Sequence, residues 1–197
     1  MTKTKKGFTL LELLIVIGIL SILSTTVILV INPAQLLKRA RDSQRISDLN
    51  TLKTAIAYYI TEASDPDIGD AGQSYSDVAT VICFGTASTA TSTTIGLGGW
   101  IPVRFDQMTG GSPIGSLPRD PNQSLIDGNP SLYYAYGVAN DTYYTFKLVA
   151  NMESTYYGGG GGDVEANDGG TQTTLYEVGT DMTLALATTS ATCYAHP

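Results

Sequence analysis

The residues whose types and spacing suggest chemistry lie within the first twelve positions of the chain. Gly7 and Phe8 follow a short leader whose only charges are lysines, at positions 3, 5 and 6. Glu12 comes four residues after Phe8 and is the only charged residue between Phe8 and Ile31. A carboxylate inside a membrane helix costs a few kcal/mol and usually has a partner. This spacing therefore predicts a polar site at the start of an apolar helix, with a partner for Glu12.

The apolar stretch from Phe8 to Ile31 is long enough to cross a membrane. Its 24 residues read FTLLELLIVIGILSILSTTVILVI, and at about 1.5 Å per residue a helix of this length spans the roughly 30 Å hydrocarbon core. It is too long for a secretory signal peptide, and no small-residue cleavage site follows it. A plain signal anchor would leave Glu12 unexplained. The leader lysines favour a cytoplasmic N-terminus, although a second basic group follows the stretch, at Lys38, Arg39, Arg41, Arg45 and Lys53.

Residues 5–13, KKGFTLLEL, resemble the prepilin processing motif of type IV pilins and type II secretion pseudopilins. The resemblance implies that a membrane-embedded aspartic peptidase cuts between Gly7 and Phe8 and methylates the new amine of Phe8. In a filament that amine would pair with Glu12 of a neighbouring copy, or of its own. Leaving the carboxylate unpaired in low dielectric costs more than making the pair. The resemblance thus makes Glu12 the residue that sets the assembly register.

The rest of the chain differs in composition from its N-terminus. It is rich in Gly, Ser, Thr, Asn and Tyr, which is typical of a loop-rich head. We expect a leader at residues 1–7, a transmembrane and polymerisation helix at 8–31, an amphipathic helix at 32–63 and a β-rich globular head at 64–197. The predicted fold class is α+β and pilin-like: one long N-terminal helix, its first half transmembrane, packed on a small antiparallel sheet.

The segment after the membrane stretch has helical periodicity. Asn32 and Pro33 interrupt the run, because proline removes a helical hydrogen bond, and predict a kink there. Apolar residues then recur at spacings near 3.5 and predict a buried face: Leu36, Leu37, Ala40, Ile46, Leu49, Leu52, Ile56 and Ile60. The basic residues on the other face have two interpretations. They could bind lipid headgroups or acidic neighbours, or form a solvated face where Arg41 or Arg45 pairs locally with Asp42 or Asp48.

Several runs in the head favour β-structure. Trp100–Phe105 is a short apolar run with strand character, and Leu132–Val138 and Tyr143–Ala150 predict a hairpin. In the second hairpin strand alternation places Lys147 and Thr145 outward. A last strand is expected around Thr173–Val178, and Gly158–Gly162 as a flexible connector. These runs, with the LPRDP turn, also resemble the C-terminal half of pilin-like proteins.

Charge and cysteine content restrict the classes of partner. The formal net charge is −7 and would become −10 on removal of the leader lysines, which argues against nucleic-acid binding through bulk charge. Cys83 and Cys193 have no metal-ligand spacing. Outside the cytoplasm they could form a disulfide worth roughly 4–5 kcal/mol, or remain two unpaired thiols in separate clusters.

Catalytic chemistry is not indicated. The single histidine, His196, has no base or nucleophile placed around it, so no enzyme site can be assembled. Loop carboxylates make a calcium site conceivable, but their spacing is not that of a known loop, and solvated turn carboxylates are the alternative: Asp120, Asp127, Asp141, Asp163, Glu165 and Asp168. We expect neither a metal nor another cofactor.

Two functional classes remain. The first is a filament subunit, of a type IV pilus or a secretion pseudopilus, whose partners would be itself and other pilins, the prepilin peptidase, and an inner-membrane assembly platform with its ATPase. The second is a membrane-tethered binding or adhesion module that does not polymerise. In either class the chain would span the inner membrane once with its head outside the cytoplasm, and a filament subunit would then enter an extracellular or periplasmic filament. Glu12 distinguishes the classes, because a monomeric tether has no need of it.

Overall fold

A computed structural model of the chain describes residues 7–70, 72–77, 92–122, 125–126, 129–130, 132–139, 143–159, 162–184 and 186. The chain divides into two compact units, Met1–Leu37 and Lys38–Pro197. The first unit contains helix α1, Leu10–Ile31. Its four hydroxyl side chains, those of Ser21, Ser24, Thr25 and Thr26, donate to backbone carbonyls of the preceding turn at 2.7–2.9 Å. The hydroxyls of α1 are thus satisfied without water.

The predicted interruption at Asn32 and Pro33 is confirmed. Asn32 adopts a left-handed conformation, with φ of 46°, and ends α1. Helix α2 then begins at Pro33 and ends at Glu62. The carbonyl of Asn32 accepts hydrogen bonds from the amides of Gln35 and Leu36 at 3.0 and 3.3 Å. Proline suits the first position of α2, because its missing N–H would have no helical partner there.

The buried face of α2 follows the predicted period over its central part only. Leu49, Leu52 and Ile56 are fully buried in the core of the head, and Ile46 and Ile60 pack against that core. The prediction was wrong at the beginning of the helix, where Leu36, Leu37 and Ala40 are exposed.

The head is built on a four-stranded antiparallel sheet, in the order β1-β4-β5-β6. Its strands are β1 Ser74–Ser76, β4 Tyr134–Val138, β5 Phe146–Ala150 and β6 Tyr176–Gly179. A separate two-stranded ribbon consists of β2 Leu125–Ile126 and β3 Asn129–Pro130. The predicted hairpin is confirmed as β4–β5, with Tyr134 opposite Ala150 and Val138 opposite Phe146. The predicted last strand is β6; β1 had no recognised signal in the sequence.

Two expectations about the head were wrong. Trp100–Phe105 is not a strand in the described structure; it is an irregular segment that ends in a 3-10 turn, Phe105–Gln107. Pro102 cannot donate to a sheet ladder, and the segment contributes side chains to the core instead, with Trp100 and Phe105 fully buried. Lys147 does not face solvent: it is 1% exposed and donates to Glu177 Oε1 at 2.6 Å.

Helix α2 and the sheet share one hydrophobic core. Tyr134, Tyr136, Phe146 and Leu148 from the central hairpin belong to the same buried cluster as the α2 leucines. All five residues of β4 and all five of β5 are buried. The observed α+β architecture therefore has the predicted pilin-like form, an N-terminal apolar helix followed by a second helix and a small antiparallel sheet.

Candidate functional site

The N-terminal motif forms a local hydrogen-bonded structure at the beginning of α1. Thr9 is the N-cap residue, and its hydroxyl accepts a hydrogen bond from the amide of Glu12 at 3.2 Å. The carboxylate of Glu12 accepts in return from the backbone amide and the hydroxyl of Thr9, both at 3.4 Å. This reciprocal arrangement is a capping box. It satisfies two amides that a helix leaves without partners at its N-terminus.

The capping box assigns Glu12 a second role that the sequence interpretation missed. The signal was present, since threonine followed three residues later by glutamate before an apolar run is typical of a helix start. The positive end of the helix dipole also favours a carboxylate at this position. The two contacts of 3.4 Å are long for hydrogen bonds to a carboxylate. They hold Glu12 at the helix start, and its carboxylate can still accept a stronger hydrogen bond from another donor.

Gly7 and Phe8 precede this cap without regular secondary structure and are exposed. Phe8 is 87% exposed, and a side chain built at Gly7 would meet no atom within 4 Å. The described chain therefore leaves the bond between Gly7 and Phe8 accessible. Beyond the cap, Leu10–Ile28 is long and apolar enough to cross a membrane, and all of this stretch is uncovered.

Two basic residues of α2, Arg41 and Arg45, form ion pairs with acidic residues of the head, whereas Arg39 is exposed. Arg45 is fully buried at the centre of a network that we call the Arg45 cluster, which comprises Arg41, Asp42, Arg45, Asp120 and Glu153. Arg45 donates to both oxygens of Asp120 at 2.7 Å, to Asp42 Oδ1 at 2.7 Å and to Glu153 Oε1 at 2.7 Å. Arg41 donates to both oxygens of Glu153, at 2.8 and 2.6 Å.

The local pairing of Arg45 with Asp42, one of the pairings considered from the sequence, is thus confirmed, but the solvated surroundings expected for it were wrong. The pair is buried, and the other partners of Arg45 are distant in sequence. Asp48, the alternative local partner, instead accepts from the hydroxyl of Tyr134 at 2.9 Å. Asp42 also accepts from the backbone amides of Glu153 and Ser154, at 2.9 and 2.8 Å.

The electrostatics of the Arg45 cluster follow from burial opposed by ion pairing. Burial alone would raise the pKa of Glu153, but hydrogen bonds from Arg41 and Arg45 outweigh it and lower that pKa to about 2. Burial would lower the pKa of Arg45, whereas the hydrogen bonds and charges of Asp120 and Glu153 raise it. Glu153 and Arg45 are therefore both charged at neutral pH, and the hydrogen bonds of the cluster fix α2 to the segments that carry Asp120 and Glu153.

The carboxylates considered for calcium are not brought together where the structure describes them. Asp120 belongs to the Arg45 cluster, and Glu165 accepts from the amide of Met152 at 2.9 Å. Asp163 accepts from the amide of Ala166, and Asp168 accepts from the amides of Gly170 and Glu177. Among the described residues no three His, Cys, Asp or Glu side chains form a group that could hold a metal ion.

Five of the residues considered from the sequence lie outside the described structure. They are Cys83, Asp127, Asp141, Cys193 and His196. The disulfide between Cys83 and Cys193 therefore stays a prediction. The proposed flexible connector, residues 158–162, is described only in part, and its first and last glycines donate to the carbonyls of Ser154 and Tyr156.

Comparison with known families identifies the N-terminal motif. Residues 2–28 match the family model described as the prokaryotic N-terminal methylation motif, which is the prepilin signal of type IV pilins and pseudopilins. The match indicates a type IV pilin-like protein that is processed as a prepilin. No curated protein and no solved structure matched the chain. The motif and the uncovered apolar helix fit membrane anchoring.

Proposed function

We propose that the chain is a structural subunit of a filament, either a type IV pilus or a type II secretion pseudopilus. The observation that supports this most is the methylation motif at residues 2–28 together with an apolar helix that nothing in the single chain covers. A soluble protein would bury such a helix in its own core. A filament subunit instead keeps it in the membrane and later packs it against other copies. We assign the chain no catalytic activity.

Processing would create the cation that Glu12 requires. Cleavage between Gly7 and Phe8 by a prepilin peptidase leaves an amine on Phe8, and methylation keeps it basic. That amine lies at the edge of the capping box, one helical turn from Glu12. A charged amine is a stronger donor than the amide and hydroxyl of Thr9, which lie 3.4 Å from the carboxylate. Pairing with the amine of a neighbouring copy, or of its own, sets the register in which subunits add.

The partners follow from this assembly route. They are other copies of the chain and related pilins, the prepilin peptidase, and an inner-membrane assembly platform with its ATPase. The subunit is first held in the inner membrane with its head outside the cytoplasm, and then enters the filament. The disulfide between Cys83 and Cys193, if formed, would form on that side. Bound calcium forms no part of the proposal.

The first test is mass spectrometry of the full chain expressed with and without a prepilin peptidase. The expected result is a peptidase-dependent loss of Met1–Gly7 and the addition of one methyl group at the amine of Phe8. An uncut N-terminus in both samples would contradict the proposal. The chain would then be better described as a membrane-tethered binding module.

The second test asks whether Glu12 acts through its charge. Glu12→Ala removes both the charge and the cap, whereas Glu12→Gln keeps an oxygen that can accept from Thr9 but removes the charge. We expect both variants to be processed and inserted, and neither to form sheared filaments detectable by electron microscopy. Normal filaments from Glu12→Gln would show that Glu12 acts only as a cap.

A further inference from the structure

An open hollow of about 390 Å³ lies at the end of the head where α2 terminates. We call it the Asp70 pocket. Its lining combines four polar side chains with two apolar ones, and glycine backbone lies between them: Asp67, Asp70, Tyr75, Arg104, Leu97 and Pro102. Small-molecule sites have volumes of about 300–1,000 Å³ and a small number of converging polar groups. The Asp70 pocket therefore has the size and the mixed lining of a site for a small ligand.

One wall of the Asp70 pocket is held by tyrosine hydroxyls from three elements of the head. The amide of Asp67 donates to the hydroxyl of Tyr59, in the last turn of α2, at 3.2 Å. The amide of Asp70 donates to the hydroxyl of Tyr75, in β1, at 3.0 Å. The hydroxyl of Tyr136, in β4, donates to a carbonyl of the same wall at 2.8 Å. The pocket is thus formed before any ligand binds, and a preformed site loses little conformational freedom on binding.

The polar lining offers hydrogen-bond acceptors and donors together. Among the described residues the carboxylate of Asp70 has no partner, and that of Asp67 accepts from one backbone amide, at 3.0 Å. Arg104 donates twice to Asp106, at 2.9 Å each, and its other N–H groups have no partner in the described part of the chain. Burial raises the pKa of Tyr75, and the charges of Asp70 and Asp67 add to the increase. The hydroxyl of Tyr75 therefore keeps its proton at neutral pH and can donate it to a ligand.

This combination of groups distinguishes between classes of ligand. A phosphate or carboxylate ligand only accepts hydrogen bonds, and the charges of Asp67 and Asp70 would repel it. An ammonium ligand only donates, and would leave the donors of Arg104 unused. A metal ion would lie beside the guanidinium, and the described residues include no group of three possible ligands. A hydroxyl group both donates and accepts, so a ligand with several hydroxyls can pair with every polar group of the lining.

The apolar part of the lining is held outward by a tight turn. Leu97 is 78% exposed, and it lies between Gly96 and Gly98, of which the second has a φ of +88° that favours glycine. The amide of Gly99 donates to the carbonyl of Gly96 at 3.2 Å and closes the turn. Together with Pro102, Leu97 gives the pocket an apolar side. A sugar ring presents C–H groups beside its hydroxyls, and such groups pack on apolar side chains.

We propose that the Asp70 pocket binds a neutral saccharide. Asp67 and Asp70 accept hydrogen bonds from its hydroxyls, and Arg104 and Tyr75 donate to its oxygens. The C–H groups of the sugar ring pack on the apolar side of the pocket. The pocket lies wholly within the unit Lys38–Pro197, so this inference goes beyond filament assembly and does not depend on it. A glycan on a surface and a free sugar present the same hydroxyls, and the experiment below distinguishes these two sources.

Binding to arrayed glycans tests the class of ligand. The full chain in detergent is coupled in many copies to fluorescent beads, because multivalent display makes a weak single site detectable. The beads are applied to neutral, sialylated, sulfated and amino-sugar glycans. Binding concentrated on neutral glycans is expected. Binding only to acidic glycans, binding only to amino sugars, or no binding would overturn the proposal. An unprocessed chain that binds neutral glycans would contradict the proposed function and leave this inference intact.

Substitutions in the pocket test its location. Asp70→Asn should weaken binding at least about tenfold, since hydrogen bonds to an ionised acceptor are about twice as strong as those between neutral groups. Leu97→Ser should also weaken binding, by removing the apolar contact. The matched control is Asp163→Asn, in a loop that contacts Ser43 of α2 through Tyr157. All three positions are at least partly exposed, so each variant should keep the melting temperature of the parent chain. Equal binding by the three variants would overturn the proposal.

Saturation-transfer NMR distinguishes the two sources of the sugar. The probe is the free disaccharide that corresponds to the end of the best-bound glycan, added to the full chain in detergent. Transfer to the free disaccharide that disappears in Asp70→Asn would show that a free sugar is sufficient. Transfer only to the arrayed glycan in soluble form would identify a surface glycan as the ligand. Transfer that is the same in Asp70→Asn and in Asp163→Asn would overturn the proposal.

Discussion

Replacing Arg45 by methionine should destabilise the head more than any change at an exposed ion pair. Methionine approximately fills the space of the arginine stem, so the effect reports the lost charge and not a cavity. Four hydrogen bonds of 2.7 Å disappear, and three carboxylates lose a fully buried partner. Removing one partner from a buried ion pair costs about 3–5 kcal/mol. For a domain of this size, that lowers the melting temperature by about 6–20 °C.

Arg104→Met is the matched control. Arg104 also makes a two-point contact with one carboxylate, donating to both oxygens of Asp106 at 2.9 Å. That pair is in contact with water, its side chains being 23% and 40% exposed, and water screens such pairs. Arg104→Met should therefore leave the melting temperature almost unchanged. The comparison separates burial of the ion pair from its geometry.

Trp100 provides the assay. It is the only tryptophan in the chain, it is fully buried, and its indole N–H donates to the carbonyl of Pro118, two residues from Asp120. Thermal unfolding of the processed chain in detergent, followed by Trp100 fluorescence, reports on the head alone. A melting temperature for Arg45→Met within the range of the Arg104→Met control would refute the reasoning. It would show that the Arg45 cluster contributes nothing net to stability.

Two further predictions concern buried charges. The folded pKa of Glu153, about 2, lies below its ordinary value of 4.5. The stability that this carboxylate contributes is therefore fully present above pH 4.5 and is lost as the pH falls towards 2. Glu153→Gln should flatten the pH dependence of the melting temperature in that range, and an unchanged slope would contradict this. Lys147→Met should destabilise the head by about 3–5 kcal/mol, because it leaves Glu177 buried without a cation. The double variant Lys147→Met with Glu177→Met should recover most of that loss of stability. A double variant no more stable than the single one, by urea unfolding, would contradict the ion-pair explanation.

The sequence predicted the elements whose signals are local. The apolar run gave α1, and the Asn32–Pro33 pair gave the break, because both depend on neighbouring residues only. The β4–β5 hairpin was recognisable from two aromatic runs flanking a short polar turn. The capping box was equally local, and Thr9 could have been recognised from its spacing to Glu12.

The environment of Arg45 could not be predicted from local sequence. Two of its partners, Asp120 and Glu153, lie 75 and 108 residues further along the chain. A single sequence shows an arginine among other charges on a helix, and the default expectation is a solvated face. Only the fold brings the carboxylates together and makes burial of the guanidinium tolerable.

Lys147 shows a second limit of prediction from the sequence. Strand alternation predicts an outward residue only when one face of the sheet meets water. Strand β5 lies in the interior of the sheet, and all five of its residues are buried. Glu177 on the adjacent strand β6 supplies the counter-charge. The alternation of side chains was correct, but the second face of the sheet is covered.

The two helices share a chemical design that accounts for their composition. In the filament proposed above, a subunit stored in lipid and later packed among copies would present α1 to two different apolar surroundings, and neither accepts a polar group without a partner. Serine and threonine meet this requirement when they donate to their own backbone, as four hydroxyls of α1 and four exposed hydroxyls of α2 do. Glu12 is the one exception in α1, and its capping contacts with Thr9 are those that a neighbouring amine can replace.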